Sequence, residues 1–276
     1  MAEKVMRWLY GHPLGAPVAA IVRQPFVSTW MGRWQDRRVG TAVIRRFATA
    51  AGIDLSEVRD PLPSFTTLNA FFARHLKPEA RPIDRAPEHL ISLSDGKLLV
   101  FPTITQGQVV PVKGAPITIS RLLMRPELAA RFAGGSALVL RLAPGDYHRF
   151  HFVEAGLPSP SVDCGHHYDT VNPIGLQGGR PILTENRRAV STLQTDCFGL
   201  IATIEVGALC VGSIVQTYTA GIPVGRGDEK GYFQFGGSTV IQLFEPGRVT
   251  FDADLLTASA VGLETAVRCG ERIARQ

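Results

Sequence analysis

Tyr232-Phe233-Gln234-Phe235-Gly236-Gly237-Ser238-Thr239-Val240-Ile241-Gln242-Leu243-Phe244 sets two strand-like runs on either side of a Gly-Gly-Ser-Thr turn. Aromatic and β-branched residues favour extended backbone on both sides, and the glycines between them mark a chain reversal. β-structure is therefore expected around residue 237. The turn also holds reactive parts. Glycine leaves the Gly237 carbonyl unshielded and permits backbone angles closed to other residues. Ser238 carries a hydroxyl that attacks such a carbonyl once a base takes its proton. An ordinary hairpin loop has the same composition, so the sharper reading needs a base elsewhere in the chain.

Pro144-Gly145-Asp146-Tyr147-His148-Arg149-Phe150-His151 follows the strand-like run Leu138-Val139-Leu140-Arg141-Leu142. Two histidines three apart cannot share one face of a regular strand, but they converge in a turn or a short helical segment. A structural pair is one reading. A zinc site drawn from His148, His151, His166 and His167 is another, although no third ligand stands at a diagnostic spacing. Ser94-Asp95-Gly96 ends a further hydrophobic stretch. Asp-Gly there reads as a turn, and an aspartate in that place also suits the orienting of a histidine.

Taken in order, these segments resemble the phosphatidylserine decarboxylase family, whose members process themselves and depend on a pyruvoyl group. Ser92-Leu93-Ser94-Asp95-Gly96 is similar to the family's Ser-Pro-x-Asp-Gly, and Asp146-Tyr147-His148-Arg149-Phe150-His151 to its Asp-Tyr-His-Arg-x-His. Asn186-Arg187-Arg188 resembles Asn-Glu-Arg, and Val211-Gly212-Ser213-Ile214 resembles Val-Gly-Ser-Ile. Gly227-Asp228-Glu229-Lys230-Gly231-Tyr232-Phe233 precedes the turn as Lys-Gly-Asp-Glu-x-Gly-x-Phe does in the family. Asn69-Ala70-Phe71-Phe72-Ala73-Arg74-His75-Leu76-Lys77-Pro78 resembles its Phe-Asn-x-Phe-Phe-x-Arg-x-Leu-Lys-Pro. Three positions depart: Gly236 replaces the leucine of Leu-Gly-Ser-Thr, Leu93 a proline and Arg187 a glutamate. The Gly237-Ser238 pair is intact.

The resemblance implies a chemistry and the residues for it. His151, oriented by Asp95, takes the proton of Ser238, whose oxygen attacks the Gly237 carbonyl and converts amide to ester. Elimination across Ser238 cuts the chain, and loss of ammonia leaves a pyruvoyl (pyruvate) group at the new terminus. Spacing alone does not separate His151 from His148 as this base. His148 is implied as the proton donor when phosphatidylserine becomes phosphatidylethanolamine, with the pyruvoyl group as electron sink. Neither an external cofactor nor a metal is expected. The products 1–237 and 238–276 are expected to stay together as a heterodimer, higher oligomers being open. Two other classes also stay open. One is a hydrolase using Ser238, His151 and Asp95 uncut, which lacks a Gly-x-Ser-x-Gly elbow. The other is a membrane-surface binding protein in which the motif is inert. Another amino acid or lipid backbone remains possible as substrate.

Composition bounds the rest. A chain of 276 residues buries a full core and suits one domain with an attachment. Cys164, Cys197, Cys210 and Cys269 show no CxxC spacing, which points to buried thiols in a reducing compartment. The N-terminus does not read as a signal peptide, and no stretch reaches the ~20 apolar residues of a membrane span. The first 50 residues hold Lys4, Arg7, Arg23, Arg33, Arg37, Arg38, Arg45 and Arg46 against Glu3 and Asp36, a net +6, while the whole chain carries +5. Trp8, Trp30 and Trp34, the only tryptophans, share that segment. Aromatic rings and basic charge together suit the headgroup region of a bilayer. A helical cap with a solvated basic face would use the same residues. The resemblance favours a peripheral protein on the cytoplasmic side of the cell membrane. No nucleic-acid motif accompanies the basic patch.

The expected fold class is α+β: a helical segment over residues 1–88, then a mainly antiparallel β core over 89–276. Val39, Val43 and Phe47, with Ile44 and Ala48, form a helical stripe stopped at Gly52. Ser64 is expected to cap a second helix bearing Phe65, Leu68, Phe72 and Leu76 and ended by Pro78. Strands are expected over 97–104, 108–113, 137–142, 199–206, 208–219, 239–244 and 248–252, with a helix from Arg121 to Phe132.

Overall fold

A computed structural model of the chain describes residues 8–9, 12, 14–22, 24, 27, 34–104, 108–110, 117–169, 182–207, 213–234 and 238–276. Its helices are α1 (Gly15–Val22), α2 (Thr41–Ala51), α3 (Leu68–Phe72), α4 (Ile119–Leu123), α5 (Pro126–Arg131), α6 (Ile182–Glu185) and α7 (Ala253–Ala260). The strands begin with β1 (His89–Ile91), β2 (Gly96–Phe101), β3 (Gln108–Val110), β4 (Ile117–Thr118), β5 (Ser136–Leu142), β6 (Arg149–His151), β7 (Leu157–Pro158) and β8 (Val162–Cys164). They continue with β9 (Arg188–Gln194), β10 (Leu200–Gly207), β11 (Ile214–Gln216), β12 (Glu229–Phe233), β13 (Ser238–Phe244), β14 (Thr250–Phe251), β15 (Thr265–Val267) and β16 (Arg272–Arg275). An N-terminal helical part thus precedes a strand-rich, antiparallel region, and the fold is α+β as expected.

The main sheet runs β15-β2-β5-β13-β10-β9-β7, with β8 also paired to β9. Every residue of β10 and β13 is buried. Strands covered on both faces carry near-continuous apolar runs, which is why Val240-Ile241 and Ile201-Ala202 read as strand without clean alternation. A smaller sheet runs β11-β12-β6. A bulge between Glu229 and Gly231 accompanies an inward Lys230, whose Nζ donates to Glu205 on β10 (2.5 Å) and to Gln216 on β11 (2.9 Å). Phe150 and Phe233 pack beside this link at 5.0 Å between ring centroids.

The helical part keeps a small core of its own: Ile44, Ala48, Val58, Phe65 and Phe71. On α2 the buried stripe is Ile44 and Ala48, with Phe47 packed alongside. Val43 is 47 % exposed and Val39 precedes the helix, so the expected stripe is rotated toward Ile44. Gly52 stops α2 as expected, at φ 69° with its N–H on the Ala48 and Thr49 carbonyls. Thr67, rather than Ser64, caps the second helix by accepting the Ala70 N–H at 3.0 Å, and that helix ends at Phe72. The expected Arg121–Phe132 helix is two. Met124 turns left-handed (φ 55°) and Arg125 is extended, as a residue before proline prefers, so α5 starts afresh at Pro126. Short strands bounded by turns, such as β1, β7, β8, β15 and β16, escaped the periodicity. So did β9 and α7, and of β12 only its end, Tyr232-Phe233, reads as strand-like.

Candidate active site

Ser238 opens β13 opposite Leu142 of β5 and Gly207 of β10. It is fully buried, and its Oγ has no hydrogen-bond partner among the described residues. Gly237 and the turn around it lie outside the described residues. The Phe233 N–H at the end of β12 donates to the His148 carbonyl at 3.0 Å, and Ser238 pairs with Leu142. Ser238 thus resumes the described chain beside Leu142, the last residue of β5.

The loop 143–148 and strand β6 after it hold the two histidines in different states. His148 is fully buried, with its ring tilted against Phe72 of α3 at 3.8 Å between centroids. Its Nδ1 lies 2.9 Å from the Asp146 carbonyl oxygen. A carbonyl only accepts, so the ring proton sits on Nδ1 and Nε2 is left as a bare acceptor, without a partner among the described residues. A buried polar atom left so costs about 1–3 kcal/mol. Burial, the largest cause, takes the His148 pKa down to about 3, and Arg74 pushes the same way. His148 is neutral at neutral pH.

His151 has both nitrogens engaged. Nδ1 donates to the Gly227 carbonyl at 2.9 Å, and Nε2 accepts from the Tyr147 hydroxyl at 3.2 Å. Burial lowers its pKa and raises that of Tyr147, so the phenol keeps its proton for this bond. Gly227 takes φ 86°, and a Cβ there would come within 3.1 Å of the Ile83 side chain. Only glycine presents that carbonyl to His151 without strain.

Asp95 stands just before β2, buried, but its hydrogen bonds go elsewhere than His151. The carboxylate accepts from Arg81 Nε (2.8 and 3.0 Å) and Nη2 (2.5 Å), and from the Cys269 N–H (2.9 Å). The expected orienting contact is replaced because a guanidinium offers a buried carboxylate a charged, two-pronged fit that neutral imidazole lacks. Arg74, also buried, donates to the Gly145 and Asp146 carbonyls at 2.9 and 3.1 Å, and burial brings its pKa to about 10. The helical part thus supplies Phe72, Arg74 and Arg81 to the site. Periodicity gave none of these roles, nor those of Tyr147 and Gly227, although all but Arg81 lie inside the segments compared above. Among the described residues no three His, Cys, Asp or Glu side chains gather as a metal group. His166 and His167 direct their backbone N–H groups to the Glu185 carbonyl.

Residues 68–275 match the family model described as phosphatidylserine decarboxylase. The chain belongs to this family. It is similar to the phosphatidylserine decarboxylase proenzyme of Desulfitobacterium hafniense, with 43 % identity over 272 residues, 98 % of this chain and 91 % of the relative. The proenzyme of Clostridium perfringens is 40 % identical over 271 residues, covering 98 % and 92 %. That of Clostridium tetani is 38 % identical over 274 residues, covering 99 % and 92 %. The family match starts within the helical part, at the first residue of α3, the helix that packs Phe72 on His148.

Proposed function

We propose that this chain cuts itself between Gly237 and Ser238 and then decarboxylates phosphatidylserine to phosphatidylethanolamine, using a pyruvoyl group made from Ser238. The observation that carries the proposal is the buried Ser238 Oγ at the head of β13, directly after Gly237, without a hydrogen-bond partner among the described residues and paired with Leu142 of β5, in the segment that leads to His148. Relatives named as proenzymes support a cleaved product.

Ser238 gives up its proton to an imidazole, its oxygen bonds to the Gly237 carbonyl carbon, and the Gly237–Ser238 amide becomes an ester. Removal of the Ser238 Cα proton expels the Gly237 carboxylate. The dehydroalanine left behind takes up water and releases ammonia. The residues fit the group so formed, since the side chain of residue 238 is enclosed and His148 Nε2, in the loop after β5, has no partner among the described residues. When present, the pyruvoyl carbonyl withdraws the electrons released with carbon dioxide. His151 is the base for cleavage in the assignment carried over from the family, with Asp95 behind it and His148 returning a proton to the product carbon. In this geometry His151 must first shed the Tyr147 hydroxyl. A second reading has one observation in its favour: His148 Nε2 is the bare nitrogen, which suits it to take the Ser238 proton.

The membrane part of the proposal rests on exposed residues. Trp8 and Trp34 are 44 % and 54 % exposed, and Val18 and Ile21 of α1 face outward. Arg37, Arg38, Arg45 and Arg46 are exposed nearby in sequence. Among the described residues no helix is long and apolar enough to cross a membrane. The protein docks peripherally on an anionic, cytoplasmic leaflet. Intact mass of the purified protein in denaturant tests the central claim. Two pieces are expected, 1–237 and 238–276, the smaller of 39 residues and lighter by one ammonia than a fragment beginning with serine. One uncut chain in active material would refute it.

A further inference from the structure

A cleft of about 290 Å³ opens over His151, and its lining joins Tyr147 and His151 to Ile83 and to three cations, Lys77, Arg81 and Arg85. The charges are unequally compensated. Arg81 is committed to Asp95 and, through Nη1 at 3.1 Å, to Glu57. Glu229, the acidic neighbour of His151 across β6 and β12, is held by Arg149 at 2.7 Å and lies 3.4 Å from His75. Lys77 and Arg85 are exposed and have no ion-pair partner among the described residues; Arg85 reaches only the Arg226 carbonyl at 3.3 Å. Tyr147 and His151 are neutral hydrogen-bonding rings at neutral pH. The cleft therefore presents the charges of Lys77 and Arg85, neither in an ion pair among the described residues, beside the paired Arg81 and the neutral rings of Tyr147 and His151. Asp54 is the carboxylate that acts on Lys77, and walls of protein concentrate the field.

We infer that this cleft binds the phosphodiester of the phospholipid head group, with Lys77 and Arg85 on the phosphate oxygens. The identity of the ligand rests on the proposed function. Size agrees with a head group: the volume stands near the lower end of small-ligand pockets, about 300–1,000 Å³. The acyl chains stay outside, in the bilayer. A phosphodiester bears one negative charge and planar pairs of acceptor oxygens, which an arginine fork and a lysine point charge meet together.

The test is the double variant Lys77→Ala/Arg85→Ala, assayed on phosphatidylserine in neutral-detergent micelles so that bilayer charge does not enter. Neither residue belongs to the processing machinery, so self-cleavage should be unchanged. KM should rise about tenfold or more while kcat stays within about twofold, the signature of lost binding shared by ground and transition states. Glycerophosphoserine should inhibit the wild type competitively, better than inorganic phosphate, and should not inhibit the variant. An unchanged KM, or glycerophosphoserine no better than phosphate, would overturn the assignment. Calorimetric titration with glycerophosphoserine keeps the two claims apart. Binding lost in the variant upholds the cleft even if the wild type proves unable to decarboxylate, and equal binding by both proteins removes it.

Discussion

Arg81 holds Asp95 in a two-pronged grip, Nε at 2.8 and 3.0 Å and Nη2 at 2.5 Å from the carboxylate oxygens, and the same guanidinium reaches Glu57. Asp95 is thereby tied to the helical part rather than to His151. Both side chains are nearly buried, and removing one partner of such a pair costs about 3–5 kcal/mol. Arg81→Ala should lower the melting temperature and slow self-cleavage. Arg81→Lys keeps the charge without the fork and should recover part of both. Denaturing gels over time and thermal melts read the two effects separately; full-rate cleavage in Arg81→Ala would show that Asp95 needs no anchor.

The two histidines should separate by timing. Under the family assignment His151→Ala and Asp95→Ala block cleavage, whereas His148→Ala cleaves and loses about 10²–10⁴-fold in decarboxylation. If His148→Ala stays uncut while His151→Ala is processed, the bare Nε2 of His148 is the cleavage base.

Acid should unfold the protein partly through His148. Its pKa is about 3 in the folded chain against 6.5 unfolded, so between these values the unfolded state binds more protons. The stability it contributes is complete above pH 6.5 and falls as pH drops toward 3, by up to about 5 kcal/mol for a shift of this size. Urea midpoints of His148→Gln should depend less steeply on pH in that window than those of the wild type. Parallel slopes would mean that His148 is not held neutral.

Gly227→Ala should disturb the site without touching a reacting group. The left-handed φ and the Ile83 contact together cost about 1–3 kcal/mol, and the carbonyl that fixes His151 Nδ1 moves. Lower stability and slower cleavage are expected, read by melts and gels. An alanine variant of unchanged stability would show that the loop relaxes freely.

After cleavage the 238–276 piece should remain bound. It supplies β13 to the middle of the main sheet, between β5 and β10, and its Glu264 and Glu245 pair with Arg141 and Arg131 of the larger piece. Gel filtration should give one species until denaturant is added.

Vesicles rich in anionic lipid should shift tryptophan emission to the blue, because Trp8 and Trp34 are exposed. Salt should weaken the pull-down as the Debye length falls from about 10 to 3 Å. Unchanged emission would place lipid contact elsewhere.

What the sequence determined by itself is local or serial: the order of the family segments, the Gly237-Ser238 pair, the apolar runs of β5, β10 and β13, and the glycine stop after α2. Each is written in residues close along the chain, where turn chemistry and periodicity act. Tertiary structure decided which partner each polar group takes. Asp95 finds Arg81 and the Cys269 N–H, and His151 finds the Gly227 carbonyl, because strand pairing brings distant residues together. It also decided that His148 keeps a bare nitrogen. The packing of α3 puts Phe72 against that ring, and the Arg74 bonds join the helical part to the loop. Burial and hydrogen-bond competition set the state of a histidine, and both are properties of the packed molecule.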